Sequence, residues 1–220
     1  MNEKSNLIMN AAAKKIAATF GVLGGLGGVV HGIGEVLQGN ISPSGFFISS
    51  WAQGPIATYL DGDPAITLIP NLLITGILAL VVSIATIIYS IVFINEKRHG
   101  KVLILLSVIM LFVGGGVGPP VLALLAGVAA LGVNSAYFWW RTLLHKKIRS
   151  VLAMLWPWIF AVCMLNGIFL VVGHVIAVYF FAPVSAGVFQ NSFYISVVLV
   201  ILSIITGIAY DISKQERKGG

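Results

Sequence analysis

The chain contains 220 residues, of which 58% are hydrophobic and 9% are charged. Because a soluble domain carries about 25% charged residues, this composition excludes an ordinary water-soluble protein and indicates an integral membrane protein. The net charge of +6 does not indicate nucleic acid, because basic cytoplasmic loops give a membrane protein the same balance. The lipid bilayer is therefore the expected partner, and no nucleic acid is expected.

The first predicted element is a transmembrane helix over residues 16–37, since about 20 apolar residues are needed to cross a bilayer core. A cleaved signal peptide is the alternative, but this stretch is too long and contains two ionisable residues. At about 100° per residue, the glycines fall on one side and the large apolar residues fall on a lipid-facing side. Close helix packing is therefore predicted on the glycine face, which contains Gly21, Gly25, Gly28 and Gly32.

His31 and Glu35 are the two ionisable residues of this span, and both lie on the glycine face. At positions i and i+4 their side chains are neighbours, so the carboxylate can accept a hydrogen bond from the imidazole. An ionisable residue at membrane depth costs at least about 2.5 kcal/mol, so Glu35 is expected to have a partner or a proton. The alternative is that Glu35 reaches headgroup water and that His31 fills an ordinary helix contact.

A long connection over residues 38–69 is predicted on the outer side of the membrane. Ser42 and Pro43 are typical of a helix start, and they predict a short helix through residues 46–51. The apolar side chains of that helix would lie at the lipid boundary.

The second predicted span covers residues 70–94. Asp63 and Pro64 form another helix-start signal, so this span could begin there and bend at Pro70, whose ring removes a helical hydrogen bond. Asp61 and Asp63 could also form a cation site. A helix cap with a turn is favoured, because two carboxylates supply too few oxygen ligands.

One apolar stretch of 39 residues separates Lys101 from Arg141. As a helix it would be about 58 Å long, which is too long for a single span. The glycines and prolines of the segment GGGVGPP, at residues 114–120, are typical of the end of one helix and the start of the next. Two spans are therefore predicted, over residues 102–118 and 119–140.

The last two predicted spans cover residues 151–181 and 193–212. Asn166 and His174 share one side of the first of these spans, and that side is expected to face protein rather than lipid. His174 lies at about the same depth as His31, so the two imidazoles could share a site. The alternative is that His174 makes an ordinary hydrogen bond between helices.

The basic residues test this count independently, because they concentrate in short cytoplasmic loops. The connections predicted on the outer side, at residues 38–69, 114–120 and 182–192, contain no lysine or arginine. All 13 basic residues lie on the other side, and they are Lys4, Lys14, Lys15, Lys97, Arg98, Lys101, Arg141, Lys146, Lys147, Arg149, Lys214, Arg217 and Lys218. The predicted fold is therefore an all-α, polytopic membrane protein with six transmembrane helices and both termini cytoplasmic. It forms a single domain over residues 1–220, and its expected location is the cytoplasmic membrane.

Three segments carry a resemblance to other proteins, namely HGIGEVLQGN at residues 31–40, PNLLITG at 70–76 and GGGVGPP at 114–120. In these segments the chain resembles small multi-spanning prokaryotic membrane proteins of unassigned function. The resemblance covers roughly the first 130 residues. It implies no activity and assigns a role to no residue.

Function is less constrained by the sequence than topology is. The phosphate-binding G-x-x-x-x-G-K-[ST] motif and the H-E-x-x-H, G-x-S-x-G and C-x-x-C motifs are missing, so an enzyme is the less favoured class. Proton-linked transport or permeation of a small solute or ion is preferred, with His31, Glu35, His174 and Asn166 as candidate site residues. One alternative is a b-type haem or metal-binding protein in which His31 and His174 are ligands. The other is a non-catalytic membrane partner or assembly subunit, including a homo-oligomer.

Overall fold

The computed structural model describes residues 10–96, 98–181 and 186–219. Lys4 and Lys97, which support the predicted topology, lie outside these ranges, as do residues 182–185 of one predicted connection. The described elements are, in chain order, α1 (Ala11–Gln38), β1 (Phe47–Ser49), α2 (Gly54–Tyr59), β2 (Pro64–Ile66), α3 (Leu72–Val92), α4 (His99–Phe112), α5 (Gly118–Leu131), α6 (Phe138–Leu143), α7 (Lys146–Ile168), a π-helical turn (Phe169–Gly173), α8 (His174–Phe180) and α9 (Ala186–Gly219).

The predicted all-α class is confirmed, and four helices of the described chain are long and apolar enough to cross a membrane. They cover Ala11–Gln38, Leu72–Val92, Lys146–Phe180 and Gly187–Arg217. The third consists of α7, the π-helical turn and α8 in succession. α4 and α5 are also apolar, but each has 14 residues, which is about 21 Å of helix. The chain is therefore a membrane protein in which a shorter helical hairpin accompanies four long helices.

α1 lies in the middle of the bundle, where it packs along α3 and α5 and also contacts α7 and α9. Leu23, which was expected to face lipid, is 7% exposed and packs in the core with Phe20. A Cβ added at Gly167 of α7 would lie 2.7 Å from the Leu23 side chain. Leu26 and Ile33 form a narrow exposed strip. The expectation that the whole large-residue side of α1 faces lipid is therefore wrong at Leu23, which packs against α7.

The glycine face of α1 lies against α3, where the backbones approach each other closely. A Cβ added at Gly25 would lie 2.9 Å from the carbonyl oxygen of Ser83, and one added at Gly32 would lie 2.9 Å from that of Gly76. Most buried residues of α3 are small as well, namely Thr75, Gly76, Ala79, Ser83, Thr86 and Ser90. Backbone atoms cannot move aside as side chains can, so larger side chains at Gly25 or Gly32 would force the two helices apart. It is the small-residue packing typical of membrane helices.

The start of α1 is held by a residue near the other end of the chain. The first N–H groups of a helix have no partner within the helix. Here the carboxylate of Asp211 on α9 accepts hydrogen bonds from the backbone N–H groups of Ala12, at 2.9 Å, and Ala13, at 3.0 Å. Asn10, at the N-cap position, makes no capping hydrogen bond with its side chain. α9 therefore supplies the cap that the sequence next to α1 does not.

α5 ends at Leu131, well before the predicted end of the fourth span at residue 140. The amide of Asn10 donates to the carbonyl oxygens of Gly132, at 2.6 Å, and Ser135, at 2.7 Å. Tyr137 then takes a left-handed conformation with φ of 53°. The apolar residues that follow form the separate helix α6, so the uninterrupted span predicted over residues 119–140 is wrong. Hydropathy did not predict the turn after α5, because that turn depends on the hydrogen bonds from Asn10 and on the backbone conformation of Tyr137.

The connection between α1 and α3 contains two antiparallel strands, so the short helix predicted from Ser42 is wrong. Ile48 of β1 pairs with Ala65 of β2. Both side chains are buried together with Leu72, whereas Phe47, next to Ile48, is exposed. This alternation along the chain is the period of a strand. Ile48 is therefore buried against protein while its neighbour Phe47 is exposed, so the apolar residues of this segment alternate between two sides of a strand instead of lying along one side of a helix.

α3 begins at Leu72, so the helix-start signal at Asp63 is not used. The side chain of Asn71 caps α3 by accepting a hydrogen bond from the N–H of Ile74 at 3.0 Å. Pro64 lies in β2, and Pro70 precedes the helix and does not bend it. Asp63 is therefore left free for a different contact.

The contact between α1 and α3 predicts that a larger side chain at Gly32 prevents correct folding. The substitution Gly32→Leu forces the two backbones apart, and overpacking of this kind costs about 1–3 kcal/mol of unfolding free energy or more. Ile33→Leu is the matched control, because Ile33 is the next residue and is exposed. The yield of monodisperse protein in mild detergent should fall for Gly32→Leu alone. Equal yields for the two variants would contradict the packing.

Candidate functional site

His31 and Glu35 lie one turn apart on α1, and both are buried. Glu35 is 0% exposed and His31 is 4% exposed. The strands β1 and β2 cover them from one side, and the glycine turn between α4 and α5 covers them from another. The two side chains are therefore removed from water and held among polar groups from other parts of the chain.

Ser50 connects the two residues. Its hydroxyl donates to Oε1 of Glu35 at 3.0 Å, and Nδ1 of His31 lies 2.9 Å from the same hydroxyl oxygen. A hydroxyl has one hydrogen to donate. In this arrangement Nδ1 of His31 must therefore carry the proton and donate it to Ser50. His31 and Glu35 do not contact each other directly as the i, i+4 spacing predicts, since the serine stands between them.

Asp63 binds the other side of the imidazole, with its Oδ2 atom 3.2 Å from Nε2 of His31. The result is a continuous hydrogen-bonded chain from Asp63 through His31 and Ser50 to Glu35, which we call the polar relay. Between Nε2 and the carboxylate one proton must be present, because two acceptors cannot form a hydrogen bond. Asp63 is 6% exposed, so this contact is largely screened from water.

A turn with an unusual backbone brings Asp63 to the histidine. Asp61, Gly62 and Asp63 all have positive φ values, of 52°, 74° and 56°. The N–H of Trp51 donates to the carbonyl oxygen of Gly62 at 2.9 Å and fixes this turn against the segment after β1. Left-handed conformations are rare for residues other than glycine, and they concentrate at functional sites. The segment read from the sequence as a helix cap is thus a tight turn that presents a carboxylate.

The glycine turn between α4 and α5 packs directly on the polar relay. Gly114 and Gly116 have positive φ values, of 90° and 83°. A Cβ at Gly114 would collide with the carboxylate of Glu35, and one at Gly116 would collide with the imidazole of His31. Glycine is therefore required at both positions for conformation and for space. The N–H of Gly114 also donates to Ile66 at 2.9 Å, which joins this turn to β2.

His174 lies across a cavity from the polar relay. It is 3% exposed, and no side chain among the described residues hydrogen-bonds its ring nitrogens, although the backbone of Phe169 and Leu170 lies near the ring. The π-helical turn Phe169–Gly173 ends directly before it. A π-turn inserts an extra residue into an α-helix, and such turns are frequent at functional sites. The unpaired imidazole is costly in isolation, and its position at a cavity wall offers it a partner from outside the protein.

The cavity has a volume of about 360 Å³ and lies between α1, α5, the π-helical turn and α9. His31, Asp63 and His174 lie on its wall, with Asp61 among the lining residues. Most of the remaining wall is apolar, and it includes Leu23, Val30, Leu122, Leu170, Val171, Phe189 and Phe193. Ligand pockets in proteins commonly have about 300–1,000 Å³ and this mixture of apolar walls with a few polar groups.

The four candidate residues from the sequence do not all meet. His31 and His174 line the cavity, and Glu35 is connected to it through Ser50. Asn166 lies elsewhere, where its amide donates to the carbonyl oxygen of Ser192 at 2.9 Å and ties α7 to α9. Asn166 is therefore a contact between helices in this structure and not a member of the cavity wall.

Sequence reasoning missed Ser50 and the role of Asp63. Neither residue belongs to a periodic apolar segment, so helical projection could not place them. One signal was available, since Asp63 is an acidic residue in a connection without any lysine or arginine to pair with. A protonated histidine such as His31 was the remaining candidate for an ion pair with Asp63.

The geometry fits a haem or a metal ion poorly. Both ring nitrogens of His31 are already engaged, by Ser50 and Asp63, so His31 cannot act as an axial ligand unless Asp63 moves away. Within the part of the chain that the structure describes, no group of three or more histidine, cysteine or acidic side chains is placed to hold a metal ion. Of the functions that the sequence suggested, a haem or metal-binding protein is therefore the one that these side chains support least.

Comparison with known proteins does not assign a function to this site. No protein family, curated protein or solved structure matches the chain. The function has to be inferred from the cavity and the polar relay themselves.

The polar relay predicts that Ser50→Ala destabilises the protein. The substitution leaves the buried carboxylate and imidazole without their shared partner, which costs about 1–3 kcal/mol for each unsatisfied group. Ser49→Ala is the matched control, because Ser49 is exposed and should change the free energy by less than about 0.5 kcal/mol. Thermal unfolding in detergent micelles measures both variants. The same melting temperature for Ser50→Ala and wild type would show that the relay is not formed.

Proposed function

We propose that this chain transports a small solute or ion through the cavity and that proton movement along the polar relay accompanies transport. The observation that carries the proposal is the direct contact between a ligand-sized cavity and a buried chain of titratable groups. Ionisable residues inside a membrane protein are costly, and they commonly mark substrate or proton pathways. Polar groups that merely fastened helices together would not need to line a cavity of ligand size.

The polar relay can move one proton without a change in the positions of its heavy atoms. In one state His31 is positively charged, Ser50 donates to Glu35, and Glu35 is negatively charged. If both hydrogen bonds of Ser50 reverse direction, Glu35 becomes protonated and donates to the serine, which donates to a neutral His31. The proton has then passed from the cavity wall to the buried carboxylate. Asp61 and His174 face the same cavity and influence which state is favoured.

The helical framework also suits a transporter. In many transporters the substrate site lies beside helices that are interrupted by glycine, proline or non-α turns. Here the π-helical turn precedes His174, and a glycine turn joins α4 to α5 beside His31. Both interruptions adjoin the cavity, where a small change of backbone would alter access to it.

For the membrane arrangement we propose six crossings, with both termini cytoplasmic, in the cytoplasmic membrane. The distribution of lysine and arginine supports this topology. Contacts agree with it at the basic end, by which we mean the end of the bundle where the lysines and arginines lie. There Lys14 donates to Asn95 at 3.0 Å, and Arg149 pairs with Glu216 at 2.7 Å. The helices α4 and α5 would then cross with the help of their flanking residues, because each is shorter than the apolar core of a bilayer.

Cysteine labelling tests this topology. Cys163 is the one cysteine of the sequence, so a Cys163→Ala background has no thiol. Ser44→Cys and Lys101→Cys each add one at an exposed position. A membrane-impermeant reagent applied to intact cells should label Ser44→Cys and should label Lys101→Cys after lysis alone. The opposite pattern would reverse the proposed orientation.

Proton-coupled flux tests the function itself. Purified protein in liposomes containing a pH-sensitive dye is exposed to a panel of small amines, carboxylic acids and sugars. A transported solute should change the internal pH, and Glu35→Gln should reduce that change at least about ten-fold, because a titratable member of the relay is lost. Asn166→Ala is the control, since Asn166 lies outside the cavity wall.

Two outcomes would contradict the proposal. Coupled flux that persists unchanged in a folded Glu35→Gln variant would exclude the relay mechanism. An absence of flux for every solute in the panel would favour the role of a membrane partner or assembly subunit.

A further inference from the structure

The charges around the cavity have one sign apart from those of the histidines. Asp61 and Asp63 line the cavity, and Glu35 lies behind it at the end of the polar relay. The sequence has no lysine or arginine between residues 16 and 96, between 102 and 140, or between 150 and 213. The cavity lining comes entirely from these stretches. Asp61 and Asp63 on a wall without lysine or arginine therefore favour a cation over an anion in the cavity.

His174 provides a second and independent indication of a ligand. Its side chain is buried and lines the cavity, and no side chain among the described residues hydrogen-bonds its ring nitrogens, although the backbone of Phe169 and Leu170 in the preceding turn lies near the ring. A neutral imidazole has one nitrogen that accepts a hydrogen bond. A ligand with N–H donors would satisfy it, and such a group could bind Asp63 across the same cavity.

The walls of the cavity indicate the rest of the ligand. Phe189 and Phe193 of α9 and Leu122 of α5 present apolar surface to it. A small hydrated metal cation would lose its water against these walls without gaining enough oxygen ligands in return. An aliphatic or aromatic group would instead be buried favourably, and aromatic faces attract cations as well.

We propose that the cavity binds an amphiphilic organic cation, with a protonated amine between Asp63 and His174 and an apolar body against Phe189 and Phe193. This inference rests on the proposed function, because it names the class of solute that would be carried. The ammonium group forms charge-assisted hydrogen bonds to the Asp63 carboxylate. An anion or a neutral alcohol with the same apolar body lacks that interaction.

Binding of the amine also couples to the polar relay. Asp63 can pair with the imidazolium of His31 or with the ammonium group of the solute. An ammonium group at Asp63 disfavours a positive charge on His31, whose proton then passes through Ser50 to Glu35. The other titratable groups that face Asp63 are Asp61, in the same turn, and His174 across the cavity. The solute and the protonated imidazole of His31 therefore compete for the Asp63 carboxylate.

Three probes with one apolar body test this inference: 4-phenylbutylammonium, 4-phenylbutanol and 4-phenylbutanoate. Their binding to the detergent-solubilised full chain is measured by isothermal titration calorimetry. The ammonium probe should bind at least about ten-fold more tightly than either of the others. Asp63→Asn should weaken ammonium binding at least about ten-fold and leave the alcohol nearly unchanged. Glu96→Gln is the control, because it removes an exposed carboxylate at the basic end.

Phe193→Ala provides a test that does not depend on the folding of the Asp63 variant. It should weaken the ammonium and alcohol probes by similar factors, because both lose the same apolar contact. Equal binding of the three probes, or tighter binding of the carboxylate, would overturn the inference. So would ammonium binding that is unaffected in folded Asp63→Asn.

Flux measurements on the same preparation separate this inference from the proposed function. Selective ammonium binding without flux in liposomes would support the ligand class and contradict transport. Flux of other solutes without ammonium binding would support transport and overturn the ligand class.

Discussion

The burial of Glu35 is the constraint on which the cavity half of the molecule depends. A carboxylate that is 0% exposed must find hydrogen bonds within the protein. Ser50 supplies one, and it can do so because β1 and β2 fold the connection between α1 and α3 back over the helix end. Gly114 leaves the space that the carboxylate occupies. Two connections that would otherwise be separate surface loops are thereby drawn together over one side chain.

Close packing between α1 and α3 meets a second requirement, that of placing the relay away from lipid. The small residues on both helices let their backbones meet, so no lipid chain can reach the side of α1 on which His31 lies. α5, α7 and α9 contact other sides of α1, and the strip with Leu26 and Ile33 stays exposed. His31 and Glu35 lie away from that strip and are buried within the protein, which is the environment that such residues need in a membrane protein.

Much of the helical framework could be predicted from sequence, and much of the site could not. Long apolar runs identify the four spanning helices, and the spacing of glycines around α1 predicts which of its sides is packed. The i, i+4 spacing also predicts that His31 and Glu35 are neighbours, although not that Ser50 joins them. Ser50 and Asp63 lie next to strands of three residues each, which are too short for a periodic signal. The start of α3 was misplaced for a related reason, since Asp63 and Asn71 are both good caps and the sequence does not show that Asp63 is occupied by a histidine.

The cap on α1 bears on how the protein is made. Asp211 binds the N–H groups of Ala12 and Ala13, so synthesis must reach at least residue 211 before α1 receives its cap. Until then, the first turn of α1 depends on water or headgroups for its hydrogen bonds. A chain cut short before Asp211 would therefore lack the partner that α9 supplies to the start of α1.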